Sequence, residues 1–77
     1  MQQQTMPAVL VFKTNIARPE EVNQVAGLLH AWAAIKKWTI DLADVDCVLR
    51  IESDAIQPDE VIALIRKAGF WCEELPD

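Results

Sequence analysis

Few side chains in this 77-residue sequence could do chemistry, and they are scattered. The soft or nucleophilic candidates are Cys47, Cys72 and the single histidine, His30. Of the 12 carboxylates, the candidates are the adjacent pairs Glu20-Glu21 and Asp59-Glu60 and a looser group of Asp41, Asp44 and Asp46. Arg18 stands just ahead of the first pair. A carboxylate pair could divide acid and base roles if its two environments differed. A thiolate could hold a soft metal, and an arginine near a helix start could grip a phosphate or carboxylate. Each chemistry needs a partner that the spacing does not provide. The two thiols stand alone and nothing near His30 in sequence chelates, so His30 reads as a partly exposed helix residue and the cysteines as small core residues. Glu20 and Glu21 would repel an anion from Arg18, which reads as a surface arginine. The aspartates lack the glycine and terminal glutamate of a calcium loop. With no nucleophile–base pair and no glycine-rich phosphate cradle, the expectation is a non-enzymatic chain with no cofactor and no metal site.

The elements that position these residues follow from an internal repeat. Sliding the chain by 39 residues aligns its halves without a gap. Leu10 then falls on Leu49, Phe12 on Ile51, Thr14 on Ser53, Pro19 on Pro58, Glu21 on Glu60 and Val22 on Val61. Each half reads as an apolar strand, a short polar loop, then proline and two acids opening a helix. Proline suits the first helical turn, where its missing N–H has no partner to lose, and the acids face the positive end of the helix dipole. Both carboxylate pairs are thereby explained as helix starts.

Behind Pro19, the residues Val22, Val25, Ala26, Leu29, Trp32 and Ala33 form an apolar stripe, and Lys36 and Lys37 are expected to close that helix. Lys37 to Leu42 alternates as a half-buried strand, with Trp38, Ile40 and Leu42 on one side. After a turn at Ala43–Asp46, Cys47 to Glu52 reads as the next strand. A second helix is expected over Pro58–Ala68, ended by Gly69, and a last strand over Phe70–Leu75. Trp32 and Trp38 are expected to anchor the core with their indole N–H groups at its rim. Strand-helix-strand, hairpin, strand-helix-strand, with right-handed crossovers, is an α+β ferredoxin-like βαββαβ sandwich. Two helices should cover one face of a four-stranded antiparallel sheet in the order 4-1-3-2. Cys47 and Cys72 would then be separated by the first strand, about 9–10 Å. A disulfide between them is not expected, because such bonds rarely span more than about 7 Å between α-carbons.

Length and charge narrow the functional classes. Residues 1–7 read as a disordered polar tail, with neither the basic end nor the apolar core of a signal peptide, and residues 8–77 as one domain. The net charge of −5 argues against nucleic acid and anionic membranes. No apolar run is long enough to span a bilayer. Two cysteines are too few for a disulfide scaffold, so the cytoplasm is the expected compartment.

Three stretches carry a family likeness. Val22-x-x-Val25-x-x-x-Leu29 lies on the first helix, Ile35-x-x-Trp38-x-Ile40-Asp41-Leu42 on the second strand, and Lys67-Ala68-Gly69-Phe70 at the end of the second helix. In these the chain resembles the heavy-metal-associated domain of copper chaperones and metal-pumping ATPases, over nearly all of Val9 to Leu75. The resemblance implies a soft-metal site at a Met-x-Cys-x-x-Cys motif in the first loop. With Val22 as the anchor, Ile16 falls at the methionine, Arg18 at the first cysteine and Glu21 at the second. None is a soft donor, and Arg18 adds a charge that repels a cation, so the family's metal chemistry is not expected here.

What remains is a surface. With Leu10 and Phe12 facing the helices, the open sheet face should show Val9, Val11, Lys13, Val48, Arg50 and Glu52, which lacks the aromatics of an RNA-binding sheet. Val9, Val11, Val48 and Trp71 are expected side by side as an apolar patch, of the kind that marks contacts. The leading expectation is therefore a module for self-association or for docking a protein partner. Two alternatives stand beside it: a metal-handling protein with an altered site using Cys72, Cys47 or His30 from two chains, and a small-ligand sensor at a dimer interface.

Overall fold

The computed structural model describes residues 8–76, so the reading of residues 1–7 as a tail lies outside the described residues. The elements run β1 (Ala8–Thr14), α1 (Pro19–His30), β2 (Lys37–Asp41), β3 (Val48–Ser53), α2 (Pro58–Lys67) and β4 (Cys72–Glu74). The sheet order is β2-β3-β1-β4 with every neighbouring pair antiparallel, which is the ferredoxin-like arrangement expected from the repeat. Alternation puts Phe12, Leu49 and Ile51 on one sheet face. Val25 and Leu29 of α1 and Val61 and Ile65 of α2 close over them. Each of these seven side chains is 0–1% exposed. Trp32 and Trp38 pack against this core half-buried, at its margin.

Three boundaries differ from the sequence expectation. The first helix ends at His30, so Lys36 and Lys37 do not close it. Ala31 and Trp32 donate to Gly27 and Leu29, Ile35 donates to Trp32, and the Lys36 N–H already bonds Glu52 of β3 at 2.8 Å. Tight turns therefore replace the last helical turn, because the β-patterned residues from Lys37 onward are taken by the sheet. β3 begins at Val48 because Cys47 has φ +44°, a left-handed conformation that no strand accepts. β4 begins at Cys72 because the Trp71 N–H leaves the ladder for the Asn15 side chain, at 2.8 Å. Gly69 does end α2. With φ +98° it allows Gly69 and Phe70 to donate to Arg66 and Ile65, the paired bonds of a left-handed helix stop.

Candidate functional site

The loop between β1 and α1 is built from its neighbours inward. Thr14, at the end of β1, is buried. Its hydroxyl donates to the Cys47 carbonyl at 2.7 Å and accepts the Ile16 N–H at 3.2 Å. That bond turns Ile16 into the core, where it is 0% exposed. Ala17 and Arg18 follow on the surface, and both their N–H groups donate to one oxygen of Glu21, at 3.0 and 3.2 Å. The Arg18 carbonyl accepts the Glu21 N–H in return, at 2.9 Å. The Arg18 guanidinium reaches out to Glu20 at 3.8 Å and Glu21 at 3.9 Å. Of the three positions aligned with a metal motif, Ile16 is core, Arg18 an exposed cation and Glu21 a helix cap.

The second half repeats the arrangement. Gln57 stands where Arg18 does, and its N–H donates to Glu60 at 2.8 Å while its carbonyl accepts the Glu60 N–H at 3.0 Å. A carboxylate three residues into the helix reaches back to an otherwise unpaired amide in both halves. One carboxylate of each pair, Glu21 or Glu60, thus caps its helix, and Glu20 and Asp59 stand beside them in the first turn.

The candidate ligands are dispersed. Cys47 and Cys72 are free and buried on either side of Thr14, one bonded to it through its carbonyl, the other paired with it across β1 and β4. Burial pushes the Cys72 thiol up to about 11, only partly offset by the Arg66 charge. A thiol so protonated is a poor ligand and a poor nucleophile. His30 lies at the far end of the molecule, where α1 stops, its ring 5.5 Å from that of Trp38. Asp41 and Asp44 accept the N–H groups of Ala43 and Asp46 within the hairpin, and Asp46 sits 3.7 Å from Lys13. Among the described residues no three His, Cys, Asp or Glu side chains gather as a metal site would require.

The expected apolar patch is not contiguous. Val9 is opposite Glu52 and Val11 opposite Arg50, whereas the Trp71 N–H is bound to Asn15, six residues beyond Val9. At strand rise that separation is about 20 Å, with Lys13 between. Val48 is only 6% exposed, beside Asp41 of β2, so it offers little surface. Trp71 is 47% exposed and lies under the Arg66 guanidinium, 4.6 Å from the ring centre. This stack escaped the sequence reading because the turn at Gly69 brings the end of α2 back over Trp71, a reversal that strand alternation does not describe. A second feature missed is an open cleft between the end of α1 and β2. It exists because α1 stops at His30, short of Lys36 and Lys37.

A solved structure, the apo form of the HMA domain of a copper chaperone for superoxide dismutase, superposes on this chain with a TM-score of 0.73. The match covers 99% of this chain and 76% of that one at 17% sequence identity. At that identity the likeness is one of fold, and the fold is that of a heavy-metal-associated, ferredoxin-like domain. No family model and no curated protein matches the chain.

Proposed function

We propose that this chain is a non-enzymatic interaction module on the heavy-metal-associated fold, in which the thiolate site has been lost. The observation that carries the reading is Glu21. Its carboxylate is spent on the Ala17 and Arg18 amides in the same way that Glu60 serves Gln57, in a half with no metal-loop counterpart. The buried Ile16 and the exposed Arg18 add no donor. Titration with Cu(I) and with Zn(II) under reducing conditions, followed by native mass spectrometry, should give no stoichiometric complex. Tight one-to-one binding would overturn the reading.

A metal-handling role with an altered site is supported by one observation, that Cys47 and Cys72 both flank Thr14 at the loop end of the sheet. The raised Cys72 pKa weighs against it. In the same titration, a complex abolished by Cys72→Ala would favour this alternative. For the interaction role, the surface with the character of a contact centre is Trp71 with Arg66, an exposed aromatic held by the Asn15 bond and a cation above its ring. Tryptophan and arginine dominate measured contact energies. Such a partner would be a protein, a second copy included. An acidic chain whose described residues contain no helix long and apolar enough to cross a membrane gives little for nucleic acid or lipid to recognise. The cytoplasm is the compartment proposed for it.

A further inference from the structure

The two edges of the sheet differ in what they offer a further strand. β2 and β4 are the outer strands, each with a neighbour on one side only. Alternate N–H and C=O groups of an outer strand point away from the sheet, a ready template for pairing. β4 is guarded against copies of itself. It is three residues long, and antiparallel pairing centred on Glu73 sets that glutamate against its own copy. Like charges directly opposite each other are destabilising.

β2 has no such guard. It runs for five residues, Lys37–Asp41, in unbroken register with β3 and without proline or bulge. Its residue order is complementary to itself. Antiparallel pairing centred on Thr39 puts Lys37 opposite Asp41, Trp38 opposite Ile40 and Thr39 opposite its own copy. Moving the centre to Trp38 or Ile40 sets Thr39 against Lys37 or Asp41 and loses both ion pairs. Trp38 and Ile40 lie on the helix-covered face, against Ile51 and Leu49, and both are only half-buried. Lys37, Thr39 and Asp41 are exposed and alternate to the open face. Lys37 has Glu52 as its neighbour in β3, yet among the described residues no carboxylate comes within 4.0 Å of its ammonium. Nor does any cation come that close to Asp41, one oxygen of which accepts the Ala43 N–H.

We propose that two copies of this chain join antiparallel along β2, about a two-fold axis through Thr39. Two four-stranded sheets then become one continuous sheet, with the helices of both copies on the same face. Trp38 and Ile40 cover each other across the join, and two Lys37–Asp41 pairs flank the axis on the open face. The net charge of −5 on each copy opposes association elsewhere, whereas at this edge opposite charges meet. A contact that is the same on both copies closes at the dimer. Five residues a side make a small interface, of the transient class. This pairing rests on the interaction reading and names a second copy as the partner. It uses the edge opposite Trp71, which stands just ahead of β4.

The test is sedimentation equilibrium of the whole chain over a series of concentrations. Wild type should move from monomer mass to dimer mass and no further. Lys37→Glu and Asp41→Lys, each checked for the wild-type fold by its dispersed amide spectrum, should dimerise about tenfold more weakly or worse. Both flanking pairs become repulsive in either variant. Asp41→Lys also lowers the net repulsion between copies, so a dimer lost there is not lost to overall charge. An equimolar mixture of the two variants sets opposite charges together at both pairs and should regain the dimer. Trp71→Ala should dimerise as wild type does. A wild type monomeric at every concentration, mass that climbs past the dimer, a mixture that stays monomeric, or a dimer lost in Trp71→Ala would each overturn the β2 pairing. Loss of the thiolate site is tested separately by the metal titration, so the two readings fail independently.

Discussion

Glu21 and Cys72 are the two residues whose chemistry is most altered by where they sit. Glu21 is an acid beside an arginine, which could suggest an ion-pair or catalytic role. One of its oxygens accepts two backbone N–H groups, those of Ala17 and Arg18, while the Arg18 guanidinium lies 3.9 Å from the other. Cys72 is a thiol whose side chain is 0% exposed, and burial penalises its thiolate. Its pKa moves from 9.0 to about 11 on folding, so the native state holds the thiol proton more tightly than the unfolded chain. Its stability contribution is full below the unfolded value and is lost as pH rises from about 9 to about 11. The measurement is a difference, so ionisation common to both proteins cancels. The stability gap between wild type and Cys72→Ala, from urea unfolding, should narrow by on the order of 2 kcal/mol across it. A constant gap would contradict the burial account.

The helix ends are where element-level physics is most exposed. Gly69 adopts φ +98° and nothing lies within 4 Å of where a Cβ would stand, so a substitution there is penalised by backbone conformation alone. Gly27 is exposed inside α1 with equally open space and ordinary helical backbone. The same change should therefore act in opposite directions. Gly69→Ala should destabilise by about 1–2 kcal/mol, and Gly27→Ala should stabilise by about 0.5–1 kcal/mol, both read from the midpoint of urea unfolding. Such local signals were legible in the sequence. Pro19 and Pro58 with their acids, the apolar stripes and Gly69 each act over one turn of chain, so residue order is enough to read them. The end of α1 was not legible, because no glycine or proline marks it. Lys37–Asp41 pairing with β3, from across the hairpin, decides where the helix must stop.

For the molecule as a whole, the open sheet face is divided rather than continuous. Val9 and Val11 lie toward one end of β1, while Trp71 lies beside Asn15, past its other end and under Arg66 of α2. If the chain pairs with itself through the Trp71–Arg66 end, size-exclusion with light scattering should show mass rising with concentration for wild type. Trp71→Ala should then stay monomeric. A wild type that is monomeric throughout would remove self-association from the proposed role and leave only a different protein as partner.

The sequence by itself determined the element order, the sheet order and the two matched helix starts. These follow from periodicity, from caps within one turn, and from the rule that crossovers are right-handed. Only the tertiary structure decided which side chains meet. Asn15 captures Trp71 across 56 positions of chain, Thr14 ties Cys47 across 33, and a shortened α1 opens the His30–Trp38 cleft against an edge strand. Alternation assigns a residue to a face. Its place along that face depends on register and on how the connecting turns return, and both are set by contacts between distant parts of the chain.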